Sequence, residues 1–167
     1  NNINPDVEND FGSYKVLLES DNINESLIKF HNDITPKEKL KKLKYIIHKF
    51  LKIKKINSIL NVGCGTGFET KALSEIYNCN ITGIDVSSEG ITYAKKYNSN
   101  TKTEFISKII DKNFLLNKRF DICYAIEFYP FSRTSDLDFQ KNIISAIFKN
   151  LTKGAPLVIY QLDNDTE

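Results

Sequence analysis

Two hydrophobic rhythms alternate along this chain from residue 58 onward. Short apolar runs at 59–62, 81–85, 103–107, 120–126 and 156–162 have the length of strands and are bounded by turn residues. Between them, 68–77, 87–97 and 136–151 carry apolar residues at helical spacing. Ile91, Ala94 and Tyr97 share one side of the second of these helices, and Ser87 or Ser88 caps it. Phe139, Ile143, Ile144, Ile147 and Phe148 form the inner stripe of the third, which Thr152-Lys153-Gly154 ends. The run 120–126 is broken only by Asp121, as a central parallel strand covered on both faces requires. Such alternation, with right-handed crossovers, predicts a three-layer α/β domain whose parallel sheet has the order 3-2-1-4-5. A ligand then belongs over the carboxyl ends of strands one and four.

Ahead of this region, Thr35-Pro36-Lys37-Glu38 is a capping box with proline at the first helical position. Leu40, Leu43, Ile46, Ile47, Phe50 and Leu51 follow at helical spacing and predict a helix packed on the sheet. The same helix carries Lys37, Lys39, Lys41, Lys42, Lys44, Lys49 and Lys52, without interleaved exposed aromatics. That pattern reads as a solvated face rather than a surface for RNA or lipid, with His48 a structural residue within it. Residues 1–10 are polar and 21–25 break the helical pattern, so 1–34 is read as a loose N-terminal helical cap and 35–167 as one domain.

Composition narrows the classes. A chain of 167 residues with 41% hydrophobic content can bury one ordinary core. Its 23 basic and 21 acidic residues leave a net charge of +2, too small to direct it to nucleic acid or an anionic membrane. Cys64, Cys79 and Cys123 are odd in number and lack metal-ligand spacing, which points to a reduced, cytoplasmic setting without a metal. No apolar run approaches the roughly 20 residues of a membrane helix, and the Asn-rich start has no signal-peptide character, so a soluble protein is expected.

The chemistry concentrates in Ile59-Leu60-Asn61-Val62-Gly63-Cys64-Gly65-Thr66-Gly67, with Ile81-Thr82-Gly83-Ile84-Asp85 following it. Glycines at alternate positions let the chain turn sharply off a strand and expose backbone to a ligand. Asp85 lies roughly 20 residues on, where the end of a second strand meets a ribose diol.

These residues resemble the class I S-adenosylmethionine-dependent methyltransferases of small-molecule type, which implies a Rossmann-like fold and S-adenosylmethionine as cofactor. The resemblance extends over residues 58–162, through Phe120-Asp121-Ile122-Cys123-Tyr124 and Leu151-Thr152-Lys153-Gly154. It implies that Asn61, Gly63, Cys64, Gly65, Thr66, Gly67, Asp85, Val86, Ile109, Ile110 and Glu127 line the cofactor, with Asp85 on the ribose hydroxyls. It places Glu127-Phe128-Tyr129-Pro130-Phe131 beside the methyl group, with Tyr14, Phe128 and Tyr129 lining the acceptor pocket. Glu127 and His31 are the residues available as a base. Each also has a plain structural reading: a strand-end acid, a surface histidine and packing tyrosines. The implied reaction is in-line methyl transfer to an oxygen or nitrogen of a small acceptor, such as a metabolite or glycan precursor. The Asn/Asp-Pro-Pro-aromatic signature of many DNA and amino-group methyltransferases is missing.

Three departures accompany the resemblance. Asn61 stands where the family commonly has an acid, and the adenine-contacting acid would fall on Ile109, with Asp111 two residues further. The antiparallel strand pair that usually follows strand five is also absent. Leu157, Val158 and Ile159 would then form an open edge, and either a shortened chain or a homodimer or partner chain covering that edge is expected. The departures together describe an alternative: a catalytically silent cofactor-binding paralogue acting as a partner or regulatory subunit. A nicotinamide-dependent dehydrogenase shares the strand-helix-strand logic but needs its third glycine one place later, where Phe68 stands.

Overall fold

Strands β1 (Ser58–Val62), β2 (Asn80–Asp85), β3 (Thr103–Ser107), β4 (Ile122–Ile126) and β5 (Leu157–Tyr160) form one parallel sheet in the order β3-β2-β1-β4-β5. The computed structural model describes residues 37–53 and 55–161. Helices α1 (Lys37–Leu51), α2 (Phe68–Tyr77), α3 (Ser88–Tyr97), α4 (Tyr129–Ser132) and α5 (Leu137–Phe148) complete the described elements. The predicted topology is the one observed.

Strand alternation sorts the core onto the two faces of the sheet. Leu60, Val62, Cys123 and Ala125 face one way and pack with Ile143, Ala146 and Ile147 of α5. Ile59, Ile122 and Tyr124 face the other way, against Leu40 and Ile47 of α1 and Leu73 of α2. All five residues of β4 are buried, because both neighbours and both helical layers cover it.

The structure redraws several predicted boundaries. Phe120 leaves β4 to form an isolated bridge with Leu151, donating its amide to the Asn150 carbonyl at 3.0 Å and accepting from Thr152 at 2.9 Å. That recruitment ends α5 at Phe148 rather than Leu151. Asp121 interrupts the apolar run because its carboxylate accepts the amides of Asn57 at 2.8 Å and Ser58 at 3.2 Å, fixing the start of β1. Asp136 is the cap of α5 rather than its first residue, and accepts the amides of Asp138 and Phe139. Ser87 caps α3 through the amide of Gly90. The short α4 was not predicted.

Two predicted stripes are narrower than their apolar spacing implied. On α1, Leu40 and Ile47 are buried, whereas Ile46, Phe50 and Leu51 are exposed on the neighbouring rows. On α5, Ile143 and Ile147 are buried with Ala146, and Phe139 and Phe148 turn outward. A helix resting on a flat sheet buries one row well and leaves the adjacent rows open. The capping box at Thr35 and Pro36, the 1–34 cap and the end of the predicted fifth strand at Leu162 lie outside the described residues.

Asn150, wholly buried after α5, is the hub that sequence reading overlooked. Its amide oxygen accepts from Leu116 at 2.6 Å, and its nitrogen donates to the carbonyls of Phe114 at 3.2 Å and Ala146 at 3.0 Å. Asn150→Leu keeps the branched skeleton, is somewhat larger, and orphans the Leu116 amide and two carbonyls, so urea unfolding is expected to show a loss of about 2–4 kcal/mol. A loss below about 0.5 kcal/mol would mean that these groups find other partners.

Candidate functional site

The carboxyl end of β1 runs directly into three left-handed glycines, Gly63, Gly65 and Gly67, at φ of +69°, +51° and +87°. Side chains rarely adopt these angles, so the composition of the loop follows from its path. The Cys64 amide donates to the Ile84 carbonyl at 3.0 Å and the Gly67 amide to the Cys64 carbonyl at 2.9 Å, winding the loop into the start of α2. A Cβ on Gly67 would lie 2.8 Å from Ala94 Cβ and from the Phe105 ring, so the loop sits flush against α3 and β3.

Asp85 reaches this loop from the end of β2. Its Oδ2 accepts the Gly65 amide at 2.8 Å and its Oδ1 accepts the Ser87 amide at 2.8 Å. Burial raises its carboxyl above the ordinary aspartate range, while the amides of Ser87, Gly65 and Val86 pull the other way. The acid that sequence spacing singled out is thus joined to the glycine loop by a direct hydrogen bond.

The third component comes from β4. The pairing of Val62 with Ala125 brings Glu127 to the same end of the sheet, just past the first glycine. Glu127 adopts φ +48°, a strained angle for a non-glycine residue, with its amide held by the Tyr160 carbonyl at 2.9 Å. That turn directs Phe128 back over the loop, where its Cδ2 lies 2.5 Å from the position a Gly63 Cβ would take. Phe131 meets the Phe128 ring edge to face at 5.7 Å, and Tyr129 opens α4 beside them. Glycine loop, carboxylate and aromatic segment therefore converge on one end of the sheet.

Other predicted residues fall elsewhere. Asn61 is buried on the α2 face, its oxygen accepting from Thr70 Oγ1 at 2.7 Å and its nitrogen donating to the Tyr124 carbonyl at 3.3 Å. The amide ties β1 to α2 and β4. The Cys64 side chain points into the contact with Ile91, Ala94 and Phe105, and burial pushes its thiol well up, leaving only its backbone toward the loop. Thr66 is buried, and its carbonyl accepts from Asn98 at 2.7 Å. Val86 and Ile109 are exposed, and Ile110 packs against the core. Asp111 accepts the Asn113 amide at 2.8 Å, closing a turn of its own loop. His31 and Tyr14 lie outside the described residues.

Sequence reading missed Thr70, Ser87, Gly90 and Asn98, which hold the loop and the acid in place. Only Ser87 carried a signal, as a helix cap. Among the described residues no cluster of His, Cys, Asp or Glu could hold a metal ion, and no helix is long and apolar enough to cross a membrane.

Residues 59–154 match a family described as methyltransferase domain. The chain is 29% identical over 107 residues to sterol 24-C-methyltransferase ERG6 of Saccharomyces cerevisiae, covering 62% of this chain and 27% of that protein. It is 33% identical over 112 residues to O-methyltransferase cnsE of Penicillium expansum, covering 64% of this chain and 38% of that one. It thus spans less than half of either relative. Among solved structures, plantazolicin methyltransferase BpumL, bound to a pentazolic desmethylPZN analog and SAH, aligns over 96% of this chain and 61% of its own with a TM-score of 0.65 and 22% identity. N-methyltransferase NodS of Bradyrhizobium japonicum, in complex with S-adenosyl-l-homocysteine, aligns over 89% and 71% with a TM-score of 0.61 and 20% identity. Both structures share the fold.

Proposed function

This chain belongs to the methyltransferase-domain family, and from that premise we propose that it binds S-adenosylmethionine over the carboxyl ends of β1, β2 and β4 and directs its methyl group to an oxygen or nitrogen of a small acceptor. The observation carrying this reading is the hydrogen bond from the Gly65 amide to Asp85 at 2.8 Å, which couples a glycine cradle to a buried carboxylate. The residues fit the group. Gly63, partly exposed, lets a ligand approach its backbone when the Phe128 side chain swings aside, and Asp85 is an acceptor for a ribose diol. Bound S-adenosylmethionine supplies a sulfonium-activated methyl group and its own leaving group.

The chain's contribution is placement and the exclusion of water. Phe128, Phe131 and Tyr129 make an apolar wall beside the first glycine, suited to hold an acceptor and keep solvent out. Glu127, positioned by its strained turn, takes a proton from an acceptor that still carries one. Ile109, exposed and apolar where the resemblance implies an acid, supports a second reading, a paralogue that binds cofactor without turnover.

Titration calorimetry with S-adenosylmethionine and S-adenosylhomocysteine, followed by a screen of hydroxyl- and amine-bearing acceptors, tests both. Micromolar binding with turnover supports the enzyme, binding without turnover supports the paralogue, and a folded sample giving no heat rejects both. For an active acceptor, Glu127→Gln is expected to lower kcat about 100-fold while leaving S-adenosylhomocysteine affinity within about twofold. Unchanged kcat would remove Glu127 from the proton path.

A further inference from the structure

An open cleft of about 540 Å³ lies at the amino ends of β1 and β2, at the opposite end of the sheet from the glycine loop. Lys44, His48, Lys55, Asn57, Tyr77 and Lys102 contribute to its lining, which among the described residues includes no carboxylate. The volume falls within the roughly 300–1,000 Å³ range of small-molecule sites.

Two of the three lysines are already anchored. Lys44 Nζ donates to the Ile76 carbonyl at 2.9 Å and stands 4.5 Å over the Tyr77 ring, and Lys102 donates to Asn78 Oδ1. An ammonium has three donors, so each anchored lysine can still serve an anion. Asp121, the carboxylate that acts on Cys79 in the cleft wall, is taken by the amides of Asn57 and Ser58. Burial pushes the Cys79 thiol up to about 11, which keeps it neutral. Asp121 keeps its negative charge, but three ammonium groups against this one carboxylate leave the cleft net cationic.

His48 adds directionality. Its Nδ1 lies 3.1 Å from the Ile53 carbonyl and so donates to it; in the neutral ring Nε2 is then the acceptor. That Nε2 is buried without a hydrogen-bond partner. A buried acceptor left unpaired is unfavourable, and a ligand hydroxyl that displaces the side chains covering Nε2 relieves it.

We propose that this cleft binds a phosphate group accompanied by a hydroxyl donor: the phosphate oxygens meet the Lys44, Lys55 and Lys102 ammonium groups, and the hydroxyl donates to His48 Nε2. Inorganic phosphate carries both features near neutral pH, whereas sulfate carries the charge without the proton. A phosphate monoester on a small polyol carries both as well, and its size suits the volume of the cleft better.

The test is phosphorus NMR and calorimetric titration of the full chain at fixed ionic strength, with inorganic phosphate, sulfate and glycerol phosphate as probes. Phosphate is expected to bind about tenfold more tightly than sulfate. Tighter binding of glycerol phosphate assigns the site to a phosphorylated metabolite, and weaker binding assigns it to the free ion. Lys55→Ala with Lys102→Ala, both away from the core, should weaken every probe by at least tenfold. His48→Phe, which keeps a ring against Tyr77, should remove the preference for phosphate over sulfate. Circular dichroism melting identifies any variant that has lost its fold. Equal affinity for phosphate and sulfate in the unaltered chain, no phosphate binding at millimolar concentration, or phosphate binding that survives the double lysine change overturns the proposal.

Discussion

Gly67→Ala is expected to lower the thermal unfolding midpoint by about 10 °C, a destabilisation of about 3 kcal/mol at roughly 2–4 °C per kcal/mol for a chain of this size. Two terms add. The first is backbone: Gly67 has φ +87°, and a side chain in the left-handed region is disfavoured by about 1–2 kcal/mol. The second is packing, because the new methyl would lie 2.8 Å from Ala94 Cβ and from Phe105 Cε1 and Cζ, all parts of a tightly filled contact. Overpacking of that kind adds about 1–3 kcal/mol. The lower entropy of the unfolded alanine chain returns less than about 1 kcal/mol.

Gly154→Ala is the control that separates these terms. Gly154 has a similar φ of +81° but nothing within 4 Å of its would-be Cβ, so only the backbone term applies, about 1 kcal/mol. Equal melting shifts for the two variants would show that the contact with α3 and β3 is soft, and the packing argument would fail. Gly63→Ala belongs to a third kind. Its methyl would meet Phe128, an aromatic side chain able to swing aside, so it should disturb the site more than the fold.

The loop glycines Gly63, Gly65 and Gly67 also show what the sequence makes legible and what it hides. The alternation of glycines after an apolar run announced a sharp turn with exposed backbone; all three loop glycines are left-handed, but Gly65 and Gly67 are buried. The distance to the next strand end identified Asp85, because a strand, a helix and a strand of ordinary length fix that spacing. Strand order followed from right-handed crossovers together with the Rossmann-like fold that the resemblance implies. Asn61 is different. From sequence it stands in for an acid and its amide looks available to a ligand, yet it is buried between Thr70 and the Tyr124 carbonyl. Which way a strand-end side chain points depends on the helix packed behind it, and local spacing carries no record of that contact. The same reason hid Asn98 and Asn150, whose side-chain bonds to Thr66, Leu116 and Phe114 each span more than 30 residues of chain. Phe50 and Phe148 mislead in the opposite sense, since helical spacing marks an apolar row without saying how wide a row the sheet will cover.

Asp85 carries the largest expected effect on ligand binding. In the proposed reading its carboxylate accepts hydroxyl donors from the ribose, and each hydrogen bond to a charged group contributes about 1.5–3 kcal/mol. Asp85→Ala removes these bonds and also frees the Gly65 amide that the carboxylate holds at 2.8 Å, loosening the cradle. Calorimetry is therefore expected to show S-adenosylhomocysteine binding weakened at least 100-fold. The pH dependence gives an independent signature. Burial raises the folded carboxyl above its ordinary value, so in the folded chain the ionised form is the costlier one, and the stability penalty from Asp85 is relieved as pH falls through that raised value. Binding runs the other way. Ribose hydroxyls donate to the ionised form, so affinity should decline as pH falls through the same value, at a higher pH than an ordinary aspartate would give. Asp85→Asn, neutral throughout, should bind weakly with no such decline. If the unaltered chain and Asp85→Asn lost affinity in parallel on acidification, the titrating group would lie elsewhere. If Asp85→Ala bound as tightly as the unaltered chain, the cradle and the acid would not form one site.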